Sequence, residues 1–113
     1  MHEYSVGQAL MDRIDAEVAA RGATAVHVVR LRIGAVSGVE PELLASAFSI
    51  LKERTVCENA ELVIERVPAR WACPRCQADI PDGEVLRCGD CGEAARLAGG
   101  DEIMLAQLEL EVP

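Results

Sequence analysis

The stretch Ala25-Val26-His27-Val28-Val29-Arg30-Leu31-Arg32-Ile33 decides the architecture. It is rich in β-branched residues and it alternates: His27, Val29, Leu31 and Ile33 fall on one face, Arg30 and Arg32 on the other. That pattern predicts a strand with one buried face, and such a face has to be covered by a second layer. Upstream, Val6, Leu10, Ile14 and Val18 recur every four residues with Met11 beside them, so the spacing predicts an amphipathic helix from Tyr4 to Arg21. Asp12, Arg13, Asp15 and Glu17 lie off its apolar face, and Gly22 supplies a stop.

Downstream, Gly34 and Gly38 mark a loop, and Pro41 opens a second helix at a position where a missing N–H costs nothing. Leu44, Ala47, Phe48 and Leu51 form its buried stripe. Leu62 to Val67 reads as a second strand closed by Pro68. A third is expected from about Met104 to Val112, with Met104, Ala106, Leu108, Leu110 and Val112 alternating against Gln107, Glu109 and Glu111. The stretch between these two strands is different in kind, with four cysteines, several Gly and Pro, and no regular period. The expected fold is α+β: two helices on a three-stranded, mainly antiparallel sheet, with an inserted zinc-ribbon-like subdomain of four cysteines.

The 113 residues suffice for one compact domain and a small appendage. The only aromatic residues are Tyr4, Phe48 and Trp71, so the core must be aliphatic. A net charge of -8 opposes binding to phosphate backbones, which are held by Lys and Arg. No apolar run approaches the ~20 residues that cross a bilayer, and the opening residues are polar rather than signal-like. The chain is therefore expected to be cytoplasmic, with neither nucleic acid nor membrane as partner.

Of five cysteines, four form tight pairs, a pattern that suits metal binding in a reducing compartment better than disulfides. Cys57 is left over and reads as an unpaired structural thiol. Cys73-Pro-Arg-Cys76 and Cys88-Gly-Asp-Cys91 are C-x-x-C units separated by 11 residues, a spacing at which two turns present four thiolates to one tetrahedral ion. Pro74 and Gly89 favour tight turns, and Gly92 relieves crowding after the second pair. Zinc is the expected ion and its role structural, because a closed four-sulfur shell leaves no position for water. A redox dithiol pair is the minor alternative. A nucleic-acid-binding ribbon shares the spacing but normally adds a basic or aromatic face, and this stretch offers only Arg70, Arg75, Arg87, Arg96 and Trp71.

At the opening, Met1-His2-Glu3 is a weak signal alone, since a terminal histidine is more often solvated than a ligand. A free α-amine, adjacent backbone amides and an imidazole can nevertheless wrap one ion in nitrogens, and such a tetragonal shell favours Ni(II) or Cu(II). Glu3 can approach the ion or simply favour the start of the helix through its charge.

The Met1-His2-Glu3-Tyr4-Ser5 opening, the segment from Gly34 to Leu44 (Gly-Ala-Val-Ser-Gly-Val-Glu-Pro-Glu-Leu-Leu), the cysteine quartet and Asp101-Glu102-Ile103-Met104 together resemble the HypA/HybF hydrogenase nickel-insertion proteins. The resemblance spans essentially the whole chain. It implies a nickel metallochaperone for maturation of [NiFe]-hydrogenase, not an enzyme and without catalytic residues. His2 would be the principal nickel ligand, assisted by the α-amine of Met1, the backbone nitrogen of His2 and Glu3 through its backbone or close by. Cys73, Cys76, Cys88 and Cys91 would hold zinc. The implied partners are the GTPase HypB and the [NiFe]-hydrogenase large subunit, with urease maturation proteins served by some members. Residues 1–68, completed by strand 103–113, would form the nickel-binding domain and 69–102 the zinc-binding subdomain. His27, in strand register with Val29 and Leu31, reads as a packed or edge histidine and not as a ligand. The rival readings are a zinc-ribbon module that binds protein or nucleic acid without nickel, and a C-x-x-C oxidoreductase.

Overall fold

In a computed structural model, which describes residues 2–83 and 85–113, helix α1 runs His2–Arg21 and buries Gly7, Leu10, Met11, Ile14 and Val18. It ends as glycine permits. Gly22 takes φ +62°, and Ala23 N donates to Val18 O at 3.0 Å, a six-residue closure of the helix end. Strand β1 (Ala25–Gly34) follows, then α2 (Pro41–Leu51) with Pro41 in its first turn and Leu44, Ala47 and Phe48 buried. Strand β2 (Glu61–Val67) pairs parallel with β1, and β6 (Ile103–Glu111) pairs antiparallel with it, so β1 is central. The parallel pair follows from α2, because a chain that leaves one end of a strand and returns parallel needs a crossover.

The helices and this sheet enclose an aliphatic core in which Ile14, Val29, Leu31, Ile33, Leu44 and Phe48 are essentially inaccessible. Gly7 lets the two helices approach closely. A Cβ there would lie 2.8 Å from Leu51 Cδ1, and Ala47 and Leu44 are its next neighbours. Cys57, in the turns between α2 and β2, is fully buried in the same core. Its burial pushes the thiol up to about 11, with the carboxylate of Asp15 adding to the effect.

Two irregularities correct the expected alternation. Between β1 and β6 the register steps from Val26↔Leu110 to Val28↔Glu109, leaving His27 as an extra residue. Val26 and Val29 are therefore both buried, and His27 does not share a face with Val29 but is exposed, with Nε2 at 2.9 Å from Glu111 Oε1. A second step, from Arg30↔Gln107 to Leu31↔Leu105, leaves Ala106 unmatched. Leu105, Leu108 and Leu110 are the residues packed on the core, while Met104 and Ala106 are exposed and Val112 lies beyond the strand.

The segment between β2 and β6 forms its own antiparallel sheet, ordered β4 (Asp79–Ile80), β3 (Arg70–Ala72), β5 (Arg96–Gly99). Among the strand pairings of the described residues, only β1–β2 is parallel. The two sheets meet where backbone lies on backbone. A Cβ on Gly34 would sit 2.1 Å from Gly100 O, and one on Gly100, at φ +90°, would sit 2.6 Å from Pro68 O. Val36 N donates to Gly100 O (2.9 Å), Ala35 N to Val67 O (2.8 Å) and Gly34 N to Glu102 O (2.9 Å). The molecule is accordingly long and thin, 57 × 28 × 17 Å.

Candidate metal centre

The small sheet carries two knuckles built alike. In the first, Gln77 N donates to Cys73 O (2.8 Å) and Cys73 N to Ala78 O (2.9 Å); in the second, Gly92 N donates to Cys88 O (2.9 Å) and Cys88 N to Glu93 O (2.8 Å). The residue after each second cysteine turns left-handed, Gln77 at φ +61° and Gly92 at φ +74°. Gly92 was readable as that turn; Gln77 carried no signal, since only glycine advertises a positive φ. The knuckles face each other, and the sulfurs of Cys73, Cys76, Cys88 and Cys91 all lie within 4.8 Å of one another. Cys73 Sγ and Cys91 Sγ are 3.5 Å apart. Four bonds of about 2.3 Å to a tetrahedral zinc ion imply sulfurs about 3.8 Å apart, so the cluster has the dimensions of such a shell.

The donor chemistry agrees. Cys76 N (3.2 Å) and Arg75 N (3.4 Å) point at Cys73 Sγ and stabilise its thiolate, holding that thiol down at about 7. At Cys76 the neighbouring sulfurs of Cys91, Cys73 and Cys88 act the other way: they accept from its S–H, favour the protonated form and push it up to about 12. Four thiols at this spacing ionise together only with a cation among them. Cys73 and Cys88 are buried with Ile80, and Trp71 and Ala95 pack against them, while Cys76 and Cys91 reach the surface. Trp71 Nε1 donates to Asp82 Oδ1 at 2.8 Å.

The amino-terminal candidates belong to the first turn of α1, in the helical layer over the main sheet. His2 is exposed and opens α1, while Met1 lies outside the described residues. Glu3 is engaged by a neighbour no sequence pattern announced: its carboxylate accepts from Glu40 N at 3.1 Å, which, with its own backbone N–H, lowers its pKa. The first turn of α1 is thereby tied to the loop that leads into α2. His27 stands apart at the far end of β1.

Fold and cysteine cluster define a class: a small α+β protein that carries a four-cysteine metal-site module inserted before its last strand. Residues 1–110 match the family model described as hydrogenase/urease nickel incorporation, metallochaperone, hypA, and the chain belongs to that family. The hydrogenase maturation factor HypA of Wolinella succinogenes is 40% identical, the match covering 98% of this chain and 96% of the relative. That of Chloroflexus aggregans is 37% identical over 96% of this chain and 98% of its own. Among solved structures, the nickel metallochaperone HypA from Helicobacter pylori superimposes with a TM-score of 0.74 at 25% identity, covering 98% of each chain. A second HypA solution structure gives 0.81 at 26%, covering 100% of this chain and 98% of that one.

Proposed function

We propose that this chain is a nickel carrier for hydrogenase maturation, holding Ni(II) as cargo at its amino terminus and zinc as a structural ion in the cysteine quartet. The observation that carries the nickel half is the position of His2 as the first residue of α1 in a chain matched from residue 1 by a nickel-incorporation family. The leading N–H groups of a helix have no acceptor within it, so the backbone nitrogens of His2 and Glu3 are free of helical bonds. They can be given to a metal without breaking the helix ladder, that of Glu3 in exchange for its bond to its own carboxylate. The imidazole of His2 and the α-amine of Met1 supply the remaining nitrogens. Glu3, held by Glu40, keeps that turn against the loop and serves through its backbone or close to the ion.

Cys73, Cys76, Cys88 and Cys91 would each give one thiolate to zinc, which folds the module and takes no part in transfer. In this division of labour, residues 1–68 with 103–113 carry the cargo and 69–102 the zinc. The proposed activity is transfer rather than turnover: exchangeable nitrogen ligands release nickel to a partner that completes a tighter site. The implied recipients are the hydrogenase large subunit, with a HypB-type GTPase as collaborator, in the cytoplasm.

Nickel titration of protein with its native terminus tests this. His2→Ala and a one-residue extension before Met1 should each weaken nickel binding at least about tenfold, since each removes a nitrogen from a tetragonal shell. Zinc content and helical signal should stay unchanged. Binding should also fade on acidification, because imidazole, amine and amides must lose protons to ligate. Equal nickel affinity and spectrum in the extended protein would exclude the α-amine and defeat the mechanism.

A further inference from the structure

The main sheet has two edge strands, β2 of seven residues with Glu65 and Arg66 near its end, and β6 of nine with Glu109 and Glu111 near its end. β6 runs nine residues with neither Pro nor Lys, and its outer edge has no strand beside it among the described residues. Glu111 turns its carbonyl towards β1, accepting from Thr24 N at 2.8 Å. Alternation then directs the backbone groups of Leu110 and Leu108 away from β1, to the open edge. On the helix side of that edge, Leu105, Leu108 and Leu110 are only half-buried. Two adjoining hollows of ≈ 260 and ≈ 370 Å³ run between them and α1, with Arg13 and Leu105 in the walls of both. Arg13 has no ion-pair partner among the described residues, whereas Arg21 is engaged by Glu17. On the other face of the sheet, Glu109 and Glu111 make only exposed contacts with Arg30 and His27.

We propose that this edge receives one extended segment of a partner protein as a fourth strand, alternating in character. Its groove side would carry apolar residues and one carboxylate for Arg13, and its other side Lys or Arg for Glu109 and Glu111. Only an extended segment satisfies a row of unpaired backbone groups while covering the leucines beneath; a helix laid in the groove would leave the edge open. A second copy of this chain is opposed by charge, since pairing two β6 edges brings the faces of Glu109 and Glu111 together in molecules of net charge -8. The surface does not depend on which metal the amino terminus carries.

The test uses the full-length, zinc-loaded, 15N-labelled chain and the synthetic peptide acetyl-Lys-Leu-Lys-Leu-Lys-Glu-Lys-Val-amide, followed by amide shifts and hydrogen exchange. The control peptide has proline in place of its third lysine. Saturable binding that slows exchange at Leu108 and Leu110 about tenfold, absent with the control, is the expected result. Arg13→Glu, which leaves the backbone alone, should weaken binding about five- to tenfold. Leu110→Pro, checked for unchanged helical signal and zinc content, should abolish it. Shifts confined to β2 or to the small sheet, undiminished binding by the Arg13 variant, or a dimer in sedimentation that the peptide cannot displace would overturn the proposal.

Discussion

Among single residues, Cys57 shows how burial decides chemistry. Its thiol is enclosed by the core and pushed up to about 11, so at pH 8 about one molecule in a thousand presents a thiolate there. In zinc-stripped protein, a thiol-alkylating probe should therefore label Cys73 far faster than Cys57, and mass spectrometry of the labelled peptides reads this directly. Comparable rates would mean that the core opens readily around Cys57. The sign of the linkage follows. The unfolded thiol ionises near its ordinary value of 9 and the folded one only near 11, so this group's contribution to stability is full below pH 9 and is lost as pH rises towards 11. The cysteines were also the most legible residues in the sequence, because a ligand set declares itself by spacing. His2 and Glu3 were singled out as proposed nickel ligands chiefly by family resemblance, and the Glu3 to Glu40 hydrogen bond joins residues 37 apart, beyond any local pattern.

Elements were legible wherever periodicity sets them, as in both helices and in the core face of β1 from Val29 to Ile33. Where reading failed, a bulge intervened. An extra residue at His27, and another at Ala106, shifts the phase of alternation without changing composition, so the pattern assigned His27 and Met104 to the wrong face. The crossing of Gly34 over Gly100 was hidden for another reason: it joins two loops distant in sequence, and a glycine between strand and loop is also an ordinary turn signal. It carries a prediction. Gly34→Ala sets a Cβ against fixed backbone atoms and should cost about 3 kcal/mol, seen as a lower midpoint in urea unfolding. Gly7→Ala meets only the mobile end of Leu51, and the ~1 kcal/mol gained in helix propensity offsets much of the repacking, so its midpoint should stay close to the parent's. Equal losses in the two would show that the Gly34 crossing yields as easily as a side chain.

For the molecule as a whole, stability is unevenly held. The large sheet and helices share one extended core, whereas the small sheet has Cys73, Ile80 and Cys88 with Trp71 and Ala95 against them, too little apolar surface to hold strands of two to four residues. Removing the proposed zinc with a chelator, or replacing Cys73 or Cys91 by serine, should melt the small sheet alone. Trp71 is the only tryptophan and packs on that cluster, so its fluorescence should shift to the red and its near-ultraviolet dichroism vanish while the helical far-ultraviolet signal persists. Loss of both signals together would show one cooperative unit. The elongated shape agrees with such independence, since the two sheets meet at the glycine crossing and the backbone hydrogen bonds around it.

That crossing also bears on how such a chain could arise. The small sheet is reached through Pro68 and Ala69 and left through Gly100, and these strands of chain nearly touch: a Cβ on Gly100 would lie 2.7 Å from Ala69 Cα. An insert whose two ends coincide asks almost nothing of its host. A genetic event could add it, lengthen it or exchange it for another without disturbing the register of β1 with its neighbours. Conversely, a gene in which codons 70–98 are replaced by those for a short Gly-Asn turn should still encode two helices on three strands.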